Sequence, residues 1–175
     1  MKPHQHHRSK SPEKLRIAVL TASSSRYYKK VAGETYTDES GMKAVEMLSK
    51  LGHEVEYLGV FNDDVWMIRT AVVKALDEPF DAVVVTGGTG VSPRDVTVEA
   101  LKPLLDKELE GWGEIFRLES FKTVGAAAAL SRTFAGVARG KLVMALPGSP
   151  EAVELALELF GGEMPHVVHI ARGGS

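Results

Sequence analysis

The chain has 175 residues, 44% of them hydrophobic and 25% charged, with a net charge of −2 at pH 7 and no cysteine. That balance predicts one soluble globular domain with a sizeable core, and it excludes disulfides, thiolate metal sites and a cysteine nucleophile. No apolar run approaches the ~20 residues that span a bilayer, so no membrane segment is expected.

Residues 1–14, MKPHQHHRSKSPEK, lack apolar periodicity and read as a disordered basic tail, with residues 15–175 as a single domain. His4, His6 and His7 are metal candidates in that tail, against the plainer reading of solvated side chains. The tail has no apolar h-region, so no secretory signal is expected and the protein reads as cytoplasmic. Five of the 21 Lys and Arg, but only one of the 23 Asp and Glu, lie in residues 1–16, which leaves the body at −6. A body without a basic stripe predicts no nucleic acid partner.

LRIAVLT (15–21) is a short apolar run suited to a buried strand. The polar stretch ASSSRYYKKVAGETYTDESG (22–41) reads as a loop, longer than the ~4–6 residues usual between packed elements and so a candidate for function. MKAVEMLSKLG repeats apolar residues at Met42, Val45, Leu48 and Leu51, a helix that Gly52 stops. HEVEYLGVF is a second strand. Asp63 or Asp64 caps the next helix, with Val65, Ile68, Val72 and Leu76 inward. FDAVVVT (80–86) is a third strand, after which Thr97 caps a helix through Leu105. LEGWGEIFRLES and VGAAAALSR read as helical, and KLVMALPGSP (141–150) as a buried strand ending in a Pro/Gly turn. EAVELALELFGG and MPHVVHIA are the last helices. His53, His166 and His169 lack metal-ligand spacing and read as packing or surface residues, while Trp66 and Trp112 read as core or subunit contacts.

Strands alternating with helices predict an α/β fold, a three-layer αβα sandwich with a mostly parallel central sheet. Such sheets bind ligands at the carboxyl ends of their strands, where strand order reverses. TASSSR, TGGTG and LPGSP all leave strand ends, which puts the chain's unusual chemistry on one edge. In VVVTGGTGVSPRDVT (83–97), Gly87, Gly88 and Gly90 let backbone N–H groups approach a ligand, the makings of a phosphate cradle. A tight strand-to-helix turn with no ligand is the bland alternative. It is no Walker A loop, because no Gly-Lys-Ser/Thr follows. Nor is it a dinucleotide fingerprint, because Pro93 stands where the third glycine belongs.

VVTGGTGVSPRD resembles the signature of the molybdenum cofactor biosynthesis family: two aliphatics, Ser/Thr, Gly-Gly, Ser/Thr, Gly, four residues, then Asp. Every defined position is filled. The similarity continues in DESG (38–41), NDD (62–64), DVTVEAL, ELEGWGEIFR, ALSR and LPGSPEAV, from Leu15 onward, and is nearest to the stand-alone MoaB/MogA-type proteins. What the resemblance implies is nucleotidyl transfer. The terminal phosphate of molybdopterin attacks the α-phosphorus of Mg-ATP, giving adenylylated molybdopterin and pyrophosphate. The attacking group is already an anion, so the protein's task is to hold two anions in line and neutralise growing charge.

By motif, Asp63 and Asp95 match the family's functional aspartates and are the expected Mg²⁺ ligands. Thr86, Gly87, Gly88, Thr89 and Gly90, with Ser131 and the turn Pro147, Gly148, Ser149, match its substrate-binding segments. Each keeps a plainer alternative. Asp63 is a helix cap, with Asp64 competing for either role; Asp95 pairs with Arg94 or braces the loop; Ser131 caps a helix; PGSP is an ordinary turn. Two departures stand out. TASSSR offers only serines where relatives often carry an acid, and NDD replaces the commoner PDD. The family also implies a homo-trimer or homo-hexamer and a downstream molybdenum insertion protein as partner. A scaffold that binds molybdopterin without turnover is the alternative function, which retention of both Asp63 and Asp95 disfavours. A third reading is the other nucleotide-processing activity of the domain shared with competence-damage proteins, against which ELEGWGEIFR and ALSR argue.

Overall fold

The computed structural model describes residues 11–174. Most of the expected tail, with its three histidines, lies outside the described residues. Residues 11–14 lie within them: Pro12 sits beside Val168, His169 and Arg172, and Lys14 pairs with Glu54 at 3.4 Å.

Strands β1 (Arg16–Ala22), β2 (Glu54–Phe61), β3 (Ala82–Thr86), β4 (Lys107–Glu108), β5 (Phe134–Ala138) and β6 (Lys141–Leu146) form one six-stranded sheet in the order β2-β1-β3-β6-β5-β4. The four strands β2, β1, β3 and β6 are parallel; β5 runs antiparallel to β6, and β4 antiparallel to β5. The sequence reading missed β4 and β5. The hairpin between β5 and β6 turns on Arg139 and Gly140, both at positive φ, a tight turn matched to strand twist.

Helices cover both faces, as expected. Ile17, Val19, Ala82, Val84, Leu142 and Met144 face one layer of α2 (Glu39–Lys50), α5 (Glu110–Val124), α6 (Pro150–Phe160) and α7 (Met164–Ala171). Ala18, Leu20, Val83, Val85 and Val143 face the other, α3 (Val65–Asp77) and α4 (Thr97–Leu101). Neighbouring residues of one strand serve opposite cores, which is why these strands read as unbroken aliphatic runs.

Three expectations need correction. The supposed loop at 22–41 contains helix α1 (Ser24–Val31), with no buried residue; its capping and contacts at β2 sustain it. In α2 the buried face is Ser40, Gly41, Ala44 and Leu48, while Met42 and Leu51 are exposed. Thr97 does not cap a helix through Leu105. Val96 occupies the cap position without a side-chain bond, and α4 passes into a 3₁₀ turn at Lys102–Leu104. Trp112 is buried and stacks on Phe116 and Phe160, whereas Trp66 is exposed.

The chain passes from β1 to β2 on one side and places β3 on the other, so strand order reverses between β1 and β3. Ser23 and Gly87 follow the two strand ends at that switch point.

Candidate functional site

The glycine loop is built from its carbonyls outward. Gly87 donates its amide to Leu146 O at 2.9 Å, which ties β3 to β6, and its carbonyl accepts the Thr97 hydroxyl at 2.8 Å. Gly88 O accepts the Thr97 amide at 3.0 Å, and Thr89 O accepts the Arg132 amide at 2.8 Å. Gly90 O accepts Arg132 Nε at 2.8 Å. Four consecutive carbonyls are thus held by the protein. The amides of Gly88, Thr89, Gly90 and Val91 have no acceptor among the described residues. Thr97 therefore works on the loop rather than on its helix.

Backbone geometry explains two of the glycines. Gly87 has φ +90° and a Cβ there would lie 2.3 Å from Ala22 O; Gly88 has φ +69° and a Cβ would lie 2.2 Å from Thr97 Oγ1. Any side chain at either position forces strain and a clash, so both glycines are required by the loop's own packing. Thr86 is fully buried beneath them.

Asp95 is half-buried and turns back to brace the loop, accepting the Ser92 amide on Oδ2 at 2.8 Å. No bond joins it to Arg94. Arg132 is the clamp that sequence reading overlooked. Its Nη2 donates to Asp95 O at 2.9 Å and its Nη1 to Glu99, beside the Nε bond to Gly90. That hydrogen bond holds the Glu99 carboxyl below its usual range and pushes the Arg132 guanidinium up.

Asp63 and Asp64 separate cleanly. Asp64 caps α3 by accepting the Met67 amide at 2.7 Å. Asp63 reaches across to α1, where its Oδ2 accepts the Ser24 amide at 2.6 Å and the Ser24 hydroxyl at 2.7 Å. Ser23 caps the same helix. The serines of TASSSR thus hold an aspartate from the neighbouring strand end.

Ser131 and the PGSP turn join the loop from the other side. Gly148 packs against Gly87, where an added Cβ would lie 3.4 Å from Gly87 Cα. Pro147 is half-buried, and Ser149 caps α6 through the Ala152 amide at 3.2 Å. Ser131 Oγ is buried without a hydrogen-bond partner among the described residues. It lines a hollow of about 430 Å³ with Lys102, Gly113, Arg117, Arg132 and Thr133. Arg117 donates to the carbonyls of Ser131 and Thr133 at 3.3 and 3.4 Å. A larger hollow, about 790 Å³, lies elsewhere, between α3 and the β2 edge beside Trp66 and Phe80. It contains none of the loop's anchored groups, and the chemistry directs attention to the switch point instead.

Beneath the loop lies a buried polar cluster to which no role was given in advance. Asp38, 7% exposed, accepts the Thr21 hydroxyl at 2.7 Å and the Tyr57 phenol on Oδ2, and the Gly41 amide at 3.2 Å and Ser40 hydroxyl at 3.4 Å on Oδ1. Burial, then the bond to Asp38, pushes the Tyr57 phenol well above its ordinary value. Only DESG hinted at this cluster.

The chain can be compared with known proteins on this basis. A family model described as "Probable molybdopterin binding domain" matches residues 18–166. The molybdopterin adenylyltransferase of Pyrococcus furiosus is 40% identical over 172 residues, covering 96% of this chain and 98% of its own. The molybdenum cofactor biosynthesis protein B of Staphylococcus aureus is 41% identical over 169 residues, covering 94% and 96%. The crystal structure of the tungsten cofactor synthesizing protein MoaB from Pyrococcus furiosus superposes with a TM-score of 0.82 at 40% identity, covering 93% of this chain and 99% of that one. Signature loop, sheet order and full-length similarity agree, and the chain belongs to the molybdopterin-binding family of molybdenum cofactor biosynthesis.

Proposed function

We propose that this chain transfers the adenylyl group of ATP to molybdopterin, with the glycine loop as the phosphate cradle. The observation that carries the reading is the row of free amides at Gly88–Val91 backed by four anchored carbonyls. Amides aimed by a rigid backbone stabilise charge that develops in the transition state without reorganising. An oxygen of molybdopterin's phosphate forms the new bond to the α-phosphorus as the bond to pyrophosphate breaks. Both groups are anions, and the loop's task is to hold them in line. The orphaned Ser131 hydroxyl suits a polar group of the pterin, and Gly148 of the Pro147–Ser149 turn packs against Gly87 of the loop.

Mg²⁺ would suit either aspartate. Each has one oxygen braced by a backbone amide, and Oδ1 of Asp63 and of Asp95 carries no hydrogen bond from the described residues. Mg²⁺ is commonly held by one or two carboxylates plus substrate phosphates. Among the described residues no cluster of three or more His, Cys or acidic groups forms a metal cage. When bound, the ion neutralises the phosphates. Asp63 or Asp95 would hold it, each oriented by the amide of Ser24 or Ser92.

Self-association belongs to the same proposal. Ile115, Leu118, Phe121 and Val124 recur along the outer face of α5 at 48–62% exposure, a contiguous apolar stripe of the kind that marks an interface. A homo-trimer or homo-hexamer would cover it.

The full-length protein with Mg-ATP and molybdopterin should yield adenylylated molybdopterin and pyrophosphate, read by mass spectrometry. Tight molybdopterin binding with no product would replace this reading with the non-catalytic scaffold.

A further inference from the structure

The carboxylate of Asp38 lies on the floor of the switch point, and no Lys or Arg pairs with it among the described residues. A buried carboxylate without a cation needs its lone pairs filled. Here they are: Thr21 and Tyr57 fill Oδ2, Ser40 and Gly41 fill Oδ1. A carboxylate offers about four acceptor sites, so none remains for a metal ion. Gly41 is glycine for the same reason, since a Cβ would lie 2.2 Å from Asp38 Oδ2 and 2.6 Å from Thr21 Oγ1.

The protons in this cluster can be counted. Thr21 has one hydroxyl proton and gives it to Asp38. Thr21 Oγ1 is also 3.0 Å from Thr86 Oγ1, so the proton of that second bond must come from Thr86. Thr86 is the last residue of β3, and Gly87 follows it directly. Thr86 Oγ1 also lies 3.4 Å from Ser40 Oγ, whose own proton goes to Asp38, so both partners of the Thr86 hydroxyl lie within the cluster and its proton is spent there.

We infer that Asp38 is a positioning residue for the transfer reaction: through Thr21 it fixes the Thr86 hydroxyl as an inward donor and so pins the point from which the glycine loop springs. The inference rests on the adenylyl-transfer reading of the loop. The Tyr57 phenol, kept protonated by burial, is a permanent second donor that keeps Asp38 Oδ2 aimed at Thr21. A cradle whose root shifts by ~1 Å loses rate on the order of 10²-fold while still accepting substrate.

The test compares the full-length wild type with Thr86→Val, Thr86→Ser, Tyr57→Phe and the Thr86→Val/Tyr57→Phe double variant. Thr86→Val keeps the branched shape and removes the proton. Its kcat should fall roughly 10- to 100-fold with KM for both substrates within about twofold. Thr86→Ser should restore kcat to within a few-fold. The double variant should be no slower than Thr86→Val by more than about twofold, because both changes act through one carboxylate oxygen. Additive losses in kcat would overturn the inference. So would a lowered melting temperature with kcat unchanged, the mark of a purely structural cluster. If Thr86→Val does not fold, Tyr57→Phe decides alone: its kcat falls with KM unchanged, or the inference fails. Wild type without product overturns the functional reading and this inference together; wild type with product and Thr86→Val at the wild-type rate overturns this inference only.

Discussion

Asp64 accepts the Met67 amide and begins α3, whereas Asp63, one residue earlier, accepts the Ser24 amide and hydroxyl at the start of α1. Two adjacent acids of one type thus separate into a cap and a proposed site residue, and their variants should separate too. Asp64→Ala should lower stability by about 1 kcal/mol, as for a lost N-cap, and leave kcat unchanged. Asp63→Asn keeps an acceptor for the Ser24 amide and should leave the melting temperature nearly unmoved, while turnover falls on the order of 10²-fold. Equal kcat values for the two variants would remove Asp63 from the site. A different residue governs acid stability. His53 is buried, its Nδ1 accepts the Leu15 amide at 3.3 Å, and burial lowers its pKa from 6.5. The unfolded chain therefore binds a proton that the fold resists. The contribution is complete above pH 6.5 and is lost as pH falls through the lower folded value. His53→Asn retains an acceptor without titrating, so its urea midpoint should fall less than wild type's between about pH 7 and pH 5. Parallel profiles would assign the acid sensitivity to another group.

At the scale of elements, β1, β3 and β6 were legible because strands covered on both faces are aliphatic without interruption. Helix α1 was not, because it buries nothing and its N-terminus is held by Ser23 and by Asp63 from another strand end. The buried face of α2 carries Ser40 and Gly41, which complete the Asp38 cluster, against the apolar pattern of Met42 and Leu51. The polar demands of a buried cluster override periodicity in this way. Short β5 lacks a strong pattern, and Gly136 is there because Leu105 and Lys107 O crowd its Cβ position. The glycine loop and two aspartates were legible as a signature. Arg132, Tyr57 and Asp38 were not, since their roles arise from partners distant in sequence. The β5–β6 turn offers a direct check on element strain. Gly140 has φ +72°, with Arg172 Cγ 3.5 Å from an added Cβ, so space is adequate and conformation alone resists. Gly140→Ala should destabilise by about 1 kcal/mol in urea titration, and a neutral result would remove that strain.

The whole molecule presents the polar edge of the glycine loop and, on α5, an apolar flank of Ile115, Leu118, Phe121 and Val124. Leu118→Glu with Phe121→Lys should convert the proposed trimer or hexamer to monomers in sedimentation velocity, with the fold intact by circular dichroism. A wild-type protein that sediments as a monomer would remove self-association from the proposal. The anchoring of the glycine loop has a consequence of its own at this scale. Arg132 and Thr97 hold the loop's carbonyls through contacts that need no ligand. A receptor already set in shape gives up little disorder when it is filled, but for the same reason it is indifferent to which phosphate fills it. On the proposed reading, choosing between the pterin's phosphate, the nucleotide's and the departing pyrophosphate would then fall to the surfaces around the loop. Selectivity and charge stabilisation are then separable properties, written in different residues and free to change independently.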